Sequence, residues 1–371
     1  MDCRGKLFFQ KDPYRVSSAL FVEAVRDNIR FQAAHCAEYA GLLKAQGLQP
    51  EMLRTEADLC RIPVIPTPYF KRNRLLSMPE KDIRLWATSS GTTGAHSVVG
   101  FDRRSFFYGL AMVWRFFSYH RLISAWPANY IVLGYEPSGH NRMGAVKTAF
   151  GATRLAPALH REYALKDTGS GYTPNLEGVV DALRRYEKQH FPVRFVGFPY
   201  LMYRLAEALR EQGISFRLNQ SSKVILGGGW KHMDHQEVDR DRFYALIDER
   251  LGIRRENCLE FFSAVEHPIP YCRCQNGHFH VPAYSRVIIR DVNTLEPLPM
   301  RQTGLLSFVT PLVYSMPLVS VMTDDLAALY DGSACGCGAR TPYFELMGRA
   351  GERHIQTCAA GAAERLGGEA L

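Results

Sequence analysis

The chain has 371 residues, of which 46% are hydrophobic, 12% aromatic and 22% charged. This is a globular composition that excludes collagen-like and disordered chains, and the length suits two or three domains, or one large domain with an appendage. The formal charge of +8 leaves nucleic acid, an anionic membrane surface or a polyanionic substrate such as a nucleotide as partners.

Residues 1–18 lack the apolar core of a signal peptide. Residues 17–46 place Leu20, Phe21, Ala24, Val25, Ile29, Phe31 and Ala34 on one apolar stripe and predict a helix. The proline-containing stretch 61–72 is expected to run extended. A strand over 85–90 leads into a Gly/Thr loop, followed by an aromatic-rich helix over 103–120. Its Phe106, Phe107, Tyr108, Trp114, Phe116 and Phe117 suit core packing at helical spacing better than the wall of an acyl tunnel. Strands are predicted at 129–135, 191–198 and 222–229, with helices at 175–190 and 200–213. This alternation predicts an α/β fold with ligands at the strand C-termini.

From 281 onward the pattern turns to strands and hairpins. The uncharged stretch Gln302–Thr323 holds Pro311 and Pro317 and fits buried strands rather than a membrane helix. The Ala/Gly-rich stretch 349–371 reads as a short helix with a flexible end. A cytoplasmic protein without a membrane span is expected. Basic residues are scattered rather than interleaved with aromatics, so nucleic acid is not an expected partner.

Nine cysteines occur, an odd number, and two pairs are spaced C-x-C. Cysteines so close rarely bridge each other, so metal binding or thiol chemistry is expected before a disulfide framework. Cys272, Cys274, His278 and His280 lie about sixty residues before Cys335 and Cys337. Zinc takes four such ligands tetrahedrally, and Cys274, His280, Cys335 and Cys337 are the expected set, with Cys272 or His278 as substitutes. A zinc-ribbon nucleic-acid module is disfavoured, because C-x-C is not the usual C-x-x-C knuckle.

Thr88, Ser89, Ser90, Gly91, Thr92, Thr93 and Gly94 form the sharpest local signal. Glycines let the backbone turn its N–H groups inward and the hydroxyls add donors, so the loop suits phosphate oxygens. A plain polar turn has the same composition, and no Gly-Lys-Ser/Thr follows to make it a Walker loop.

The order of residues in this loop resembles the phosphate loop of adenylate-forming enzymes. Gly227, Gly228 and Gly229, followed by Trp230 and Lys231, resemble that superfamily's adenine-side glycine turn. Phe262 to Glu266 resembles its aromatic-x-x-x-Glu element, implying that Glu266 holds magnesium. Thr323-Asp324-Asp325-Leu326 resembles its Thr-Gly-Asp-Leu element, implying that Asp325 binds the ribose hydroxyls, and Gly348-Arg349 resembles the start of its hinge. Within the superfamily the chain most resembles the acyl-protein synthetases of the LuxE family, through the stretch IPVIPTPYFKR (62–72), the loop followed by Ser97 and Asp102, and the glycine turn. Phenylacetate-CoA ligases are near relatives, and some of them carry a structural zinc.

Two departures stand out. Ala95-His96-Ser97 replaces the Pro-Lys of many acyl-CoA synthetases, and only about 22 residues follow Gly348-Arg349. The second implies that the usual mobile C-terminal domain, with its adenylation lysine, is missing or reduced to a tail; Lys231 is a weak substitute. The expected organisation is an acyl-activating domain over 1–348, with a β-rich, zinc-pinned lobe around 268–345, and a tail over 349–371.

The resemblance implies ATP-dependent activation of a carboxylic acid, expected to be fatty, as acyl-AMP. The acyl group then passes to the chain's own cysteine and on to a partner such as a reductase or carrier protein. Cys358 is the only cysteine after the hinge-like pair, and on a helix His354 would lie one turn away, favouring the thiolate. The alternative acceptor is coenzyme A or a carrier-protein thiol.

Overall fold

A computed structural model describes residues 2–89, 96–138, 144–228 and 239–350, apart from the side chains of 144, 145 and 147. The chain divides into two compact units, one of residues 1–119, 263–271 and 276–371, the other of residues 120–262 and 272–275.

The first unit opens with three helices, α1 (Cys3–Phe8), α2 (Ser18–His35) and α3 (Ala37–Ala45). The predicted 17–46 helix therefore breaks at Cys36, which is extended at φ −130° and ψ 104°. Phe21, Val22, Ala24, Val25 and Ile29 form the buried face of α2, as their spacing dictates. The proline stretch holds a short strand, β1 (Ile65–Pro66), and then a helix, α4 (Thr67–Arg72), which corrects the expectation of an extended run. Pro68 falls in the first turn of α4, where a missing N–H costs no helical bond.

An antiparallel hairpin follows, β2 (Ile83–Thr88) and β3 (Val98–Asp102), leading into α5 (Arg103–Tyr119). Asp102 starts that helix: its Oδ1 accepts from the backbone N–H groups of Arg104 at 2.9 Å and Ser105 at 3.0 Å.

The second unit runs β4 (Ala128–Tyr135), α6 (Gly144–Ala152), β5 (Ala158–Asp167), β6 (Tyr172–Pro174), α7 (Leu176–Gln189), β7 (Val193–Gly197), α8 (Pro199–Glu211), β8 (Lys223–Gly227), α9 (Arg240–Leu251) and β9 (Cys258–Phe262). Its seven-stranded sheet also takes in β10 (Tyr271–Cys272) and has the order β10-β9-β8-β7-β4-β5-β6. The five central strands, β9, β8, β7, β4 and β5, pair in parallel. Ile131, Leu133, Phe195 and Leu226 of the sheet pack with Val179 and Leu183 of α7, Met202 and Leu205 of α8, and Phe243 and Ile247 of α9. Because β4 pairs with both β5 and β7, the strand order reverses at β4. Ligands of such sheets bind at the carboxyl ends beside this reversal.

The chain ends in the first unit with β11 (Phe279–His280), β12 (Arg286–Arg290), β13 (Thr303–Val309), β14 (Ser320–Tyr330) and β15 (Tyr343–Arg349). The six-stranded sheet has the order β11-β15-β14-β13-β12, with β1 added in parallel to β14. Gln302–Thr323 covers β13 and the start of β14, as buried strands. Among the described residues no helix is long and apolar enough to cross a membrane.

Candidate active site and metal cluster

The β2–β3 hairpin closes on the ends of the Gly/Thr loop. Ser89 and Ser97 pair across it, Ser89 N–H donating to Ser97 O at 3.0 Å and Ser97 N–H to Ser89 Oγ at 2.9 Å. His96 Nδ1 lies 2.9 Å from Ser89 O. Thr88 and Ser89 thus stand at the described edge of the loop; Ser90, Gly91, Thr92, Thr93 and Gly94 lie outside the described residues.

The glycine turn begins at the carboxyl end of β8, which β7 separates from the reversal at β4. Gly227 ends β8, and Gly228 has φ +90° with the Phe198 ring packed against it. Phe198, just after β7, escaped the sequence reading because a single aromatic after a strand carries no motif. Beside it the chain passes so close to β4 that a Cβ on Gly197, at φ +142°, would stand 2.1 Å from Leu133 O. Gly229 and Lys231 lie outside the described residues.

Glu266 is buried in the turn after β9. That turn is held by its neighbour: His267 Nε2 lies 2.8 Å from Tyr271 Oη and 3.1 Å from Ser285 Oγ, and its ring stacks on Phe308 at 4.4 Å. Burial holds the imidazole neutral, with its pKa lowered to about 3. Sequence alone offers no sign of this network, because Ser285 is 18 positions from His267.

Asp325 lies in β14 opposite Arg349 of β15, and Arg349 Nε reaches its Oδ1 at 3.3 Å. The backbone N–H of Asp325 donates to Thr323 Oγ1 at 3.3 Å. Next to it, burial raises the pKa of Asp324, opposed by the charges of Lys71 and Arg349. Cys358 and His354 lie outside the described residues.

The four expected metal ligands do come together. One ligand atom each of Cys274, His280, Cys335 and Cys337 lies within 4.8 Å of the others. Tetrahedral thiolates around zinc are ~3.8 Å apart, so a small contraction closes the cluster on an ion. The donor chemistry fits as well. His280 Nδ1 faces the carbonyl of Thr341 at 2.8 Å, an acceptor only, so the ring proton sits on Nδ1. Its Nε2 lone pair then faces Cys337 Sγ at 3.2 Å, the orientation a metal ligand needs.

Pairing of β11 with β15 fixes His280 opposite Tyr343, and Gly336 and Gly338, at φ +72° and +92°, let the chain curl between and after the two cysteines. Asn276 Nδ2 donates to Cys335 O at 2.6 Å. Of the substitutes, His278 touches the edge of the cluster, its Nδ1 contacting Cys335 Sγ at 3.1 Å while Nε2 pairs with Glu345 at 3.0 Å, and Cys272 is buried outside the four. No described cysteine forms a disulfide.

A profile of the family described as "Acyl-protein synthetase, LuxE" matches residues 5–367. The chain belongs to the LuxE acyl-protein synthetase family. It is thus a ligase of the adenylate-forming type, related to the phenylacetate-CoA ligases. The long-chain-fatty-acid–luciferin-component ligase of Vibrio harveyi is 28% identical over 81% of this chain and 77% of its own length. The same-named ligase of Aliivibrio fischeri is 26% identical over 71% and 68%. The phenylacetate-coenzyme A ligase of Pseudomonas putida is 24% identical over 87% of this LuxE-family chain and 70% of its own. An open conformation of 2-hydroxyisobutyryl-CoA ligase shares the fold, with a TM-score of 0.62 and 15% identity over 89% of this chain and 74% of that one.

Proposed function

We propose that the protein activates a fatty acid with ATP and passes the acyl group through Cys358 to a partner protein. The observation that carries this reading is the LuxE match over residues 5–367, together with relatives that ligate long-chain fatty acids. Residues 1–348 form the acyl-activating domain in this reading, with a β-rich lobe around 268–345, and 349–371 carry the acceptor.

A carboxylate is a poor electrophile, so its oxygen first attacks the α-phosphorus of ATP. The bond to the β-phosphate breaks and pyrophosphate leaves. Such a step needs positioning and charge stabilisation more than it needs a base. The 88–94 loop receives the β- and γ-phosphates on its N–H groups and hydroxyls. Gly227, Gly228 and Gly229 border the adenine, and Asp325 accepts hydrogen bonds from the ribose hydroxyls. Glu266 would hold magnesium through its carboxylate, and the ion would supply positive charge to the phosphates.

The Cys358 thiolate next attacks the acyl carbon, a thioester forms and AMP leaves. His354, one turn away if the segment is helical, favours the thiolate. Cys274, His280, Cys335 and Cys337 would hold a zinc ion in a structural role, since four protein ligands would leave it no open position for substrate.

Intact mass after incubation with ATP, magnesium and a panel of fatty and aromatic acids tests the reading. A hydroxylamine-labile acyl mass on the wild type and none on Cys358→Ser is expected. The matches to phenylacetate-CoA ligases favour one alternative, transfer to coenzyme A or a carrier thiol. It predicts no adduct, but pyrophosphate release that depends on the acid and on added coenzyme A, unchanged in Cys358→Ser.

A further inference from the structure

Helix α5 turns two unlike faces outward and inward. Ser105, Met112 and Phe116 are buried on one side. Opposite them, one turn after another, stand Phe107, Leu110 and Trp114, which are 57%, 53% and 58% exposed. Solvent-facing helix sides are normally polar, and three large apolar side chains in a row mark a surface that is covered in use.

The charges around this stripe are mostly of one sign. The sequence of α5, RRSFFYGLAMVWRFFSY, has no acidic residue. Arg103 and Arg104 are exposed at its N-terminal end and Arg115 is half-buried further along. Helix α1 packs alongside, with Phe9 and Phe107 ring centroids 5.4 Å apart, and exposed Lys6 and Lys11 flank that contact in the chain. Two acids lie in the same N-terminal segment, both hydrogen-bonded: Asp2 to Gly5 N–H and Tyr108 Oη–H, Asp12 to Tyr14 N–H. Five cations thus stand against these two acids and the buried Asp102 that caps α5.

We propose that this face of α5 docks the protein on an anionic phospholipid surface. A helix with Phe, Leu and Trp on one stripe and arginines beside it lies in the headgroup–acyl boundary, its apolar side chains inserted and its cations on lipid phosphates. A second copy of the chain is a poorer occupant. Antiparallel pairing of two α5 helices would bring Arg103 and Arg104 of each toward Arg115 of the other, with no carboxylate on either helix. Docking also serves the proposed function, since a fatty acid partitions into bilayers. That purpose rests on the fatty-acid reading, but lipid binding is measured without turnover, so the two fail separately.

The test is co-sedimentation of the full chain with phosphatidylglycerol/phosphatidylcholine vesicles and with pure phosphatidylcholine vesicles. Two variants are compared, the triple Phe107→Ser/Leu110→Ser/Trp114→Ser and the double Arg103→Gln/Arg104→Gln. Binding of the wild type to the anionic vesicles is expected, weakened roughly tenfold or more on neutral vesicles, in 0.5 M salt and in either variant. Far-ultraviolet dichroism and ATP–pyrophosphate exchange with water-soluble octanoate should stay unchanged in both variants. Trp114→Phe should keep the binding and lose a lipid-induced blue shift of tryptophan emission. No binding by the wild type, or equal binding by the triple variant, would overturn the proposal. So would a wild-type dimer in sedimentation velocity that the triple variant dissociates without lipid; the face would then belong to a second copy.

Discussion

Gly197 ends β7 where that strand passes β4, and the 2.1 Å separation between its virtual Cβ and Leu133 O leaves no room for a side chain. Gly197→Ala must move one strand of the parallel sheet, and a loss of roughly 2 kcal/mol or more is expected in urea unfolding. A second residue sets a pH dependence. Burial lowers the pKa of His120 to about 4, its ring standing edge-on to Phe261 with centroids 6.2 Å apart. The unfolded chain protonates this imidazole below about 6.5, the folded one only near 4. The unfolded state therefore binds more protons between those values, and stability falls as pH drops from 6.5 to 4. The slope from this group stays below about 1.4 kcal/mol per pH unit, because a single imidazole can differ by at most one bound proton between the two states. His120→Gln should flatten the decline, as measured by urea midpoints across that range.

At the scale of elements, α2 shows how a helix can be predicted and its main task missed. Its apolar stripe announces a buried helix, yet two amides on the buried side do the specific work. Asn28 Nδ2 donates to the carbonyls of Pro311 at 3.0 Å and Val313 at 2.9 Å, and Gln32 Nε2 to those of Tyr314 at 3.1 Å and Met316 at 3.2 Å. These carbonyls belong to the loop between β13 and β14, which the amides satisfy in place of water. Asn28→Leu or Gln32→Leu strands buried carbonyls and should cost about 1–3 kcal/mol. Arg30→Ala, which loses exposed pairs to Asp27 and Glu51, should cost under about 1 kcal/mol. Chemical unfolding of the three variants checks the contrast; equal losses would deny the amides their role. Helix α5 carries the opposite lesson. Core packing was expected for its aromatics and holds for Phe116, but Phe107 and Trp114 face solvent. Aromatic density at helical spacing does not say which side of the helix meets the core.

At the scale of the whole molecule, the candidate metal cluster gathers side chains that are far apart in the sequence. Its ligands come from a turn before β11, from β11 itself and from the loop before β15, segments about sixty residues apart. Binding to such preformed ligands adds to folding stability in proportion to the free energy of metal binding. Zinc at one equivalent per chain is expected by elemental analysis. Removing it with a chelator should lower the melting temperature by several degrees and restoring it should reverse the loss. Cys337→Ser should abolish both the zinc and the response to chelator. A wild type whose melting ignores the chelator would remove zinc from the account.

The sequence by itself determined the class of fold, most central strands, the family and the four side chains expected to bind a metal. Each of these is written locally: strand and helix periods are short, the motifs occupy a few consecutive residues, and C-x-C pairs with nearby histidines name their own chemistry. Tertiary structure alone decided the helical turn at α4, the amides of α2 and their carbonyls, and the Phe198 ring against Gly228. It also decided the His267–Tyr271–Ser285 network beside Glu266, and how Cys274 and His280, the expected pair, and Cys272 and His278 are arranged around the cluster. In the last case all four side chains have the right donor atoms. What separates them is strand pairing, which sets His280 opposite Tyr343 and hands its Nδ1 proton to Thr341, so that Nε2 faces the cysteines. Contacts between residues tens to hundreds of positions apart depend on where the sheet brings the chain back, and no local pattern records that.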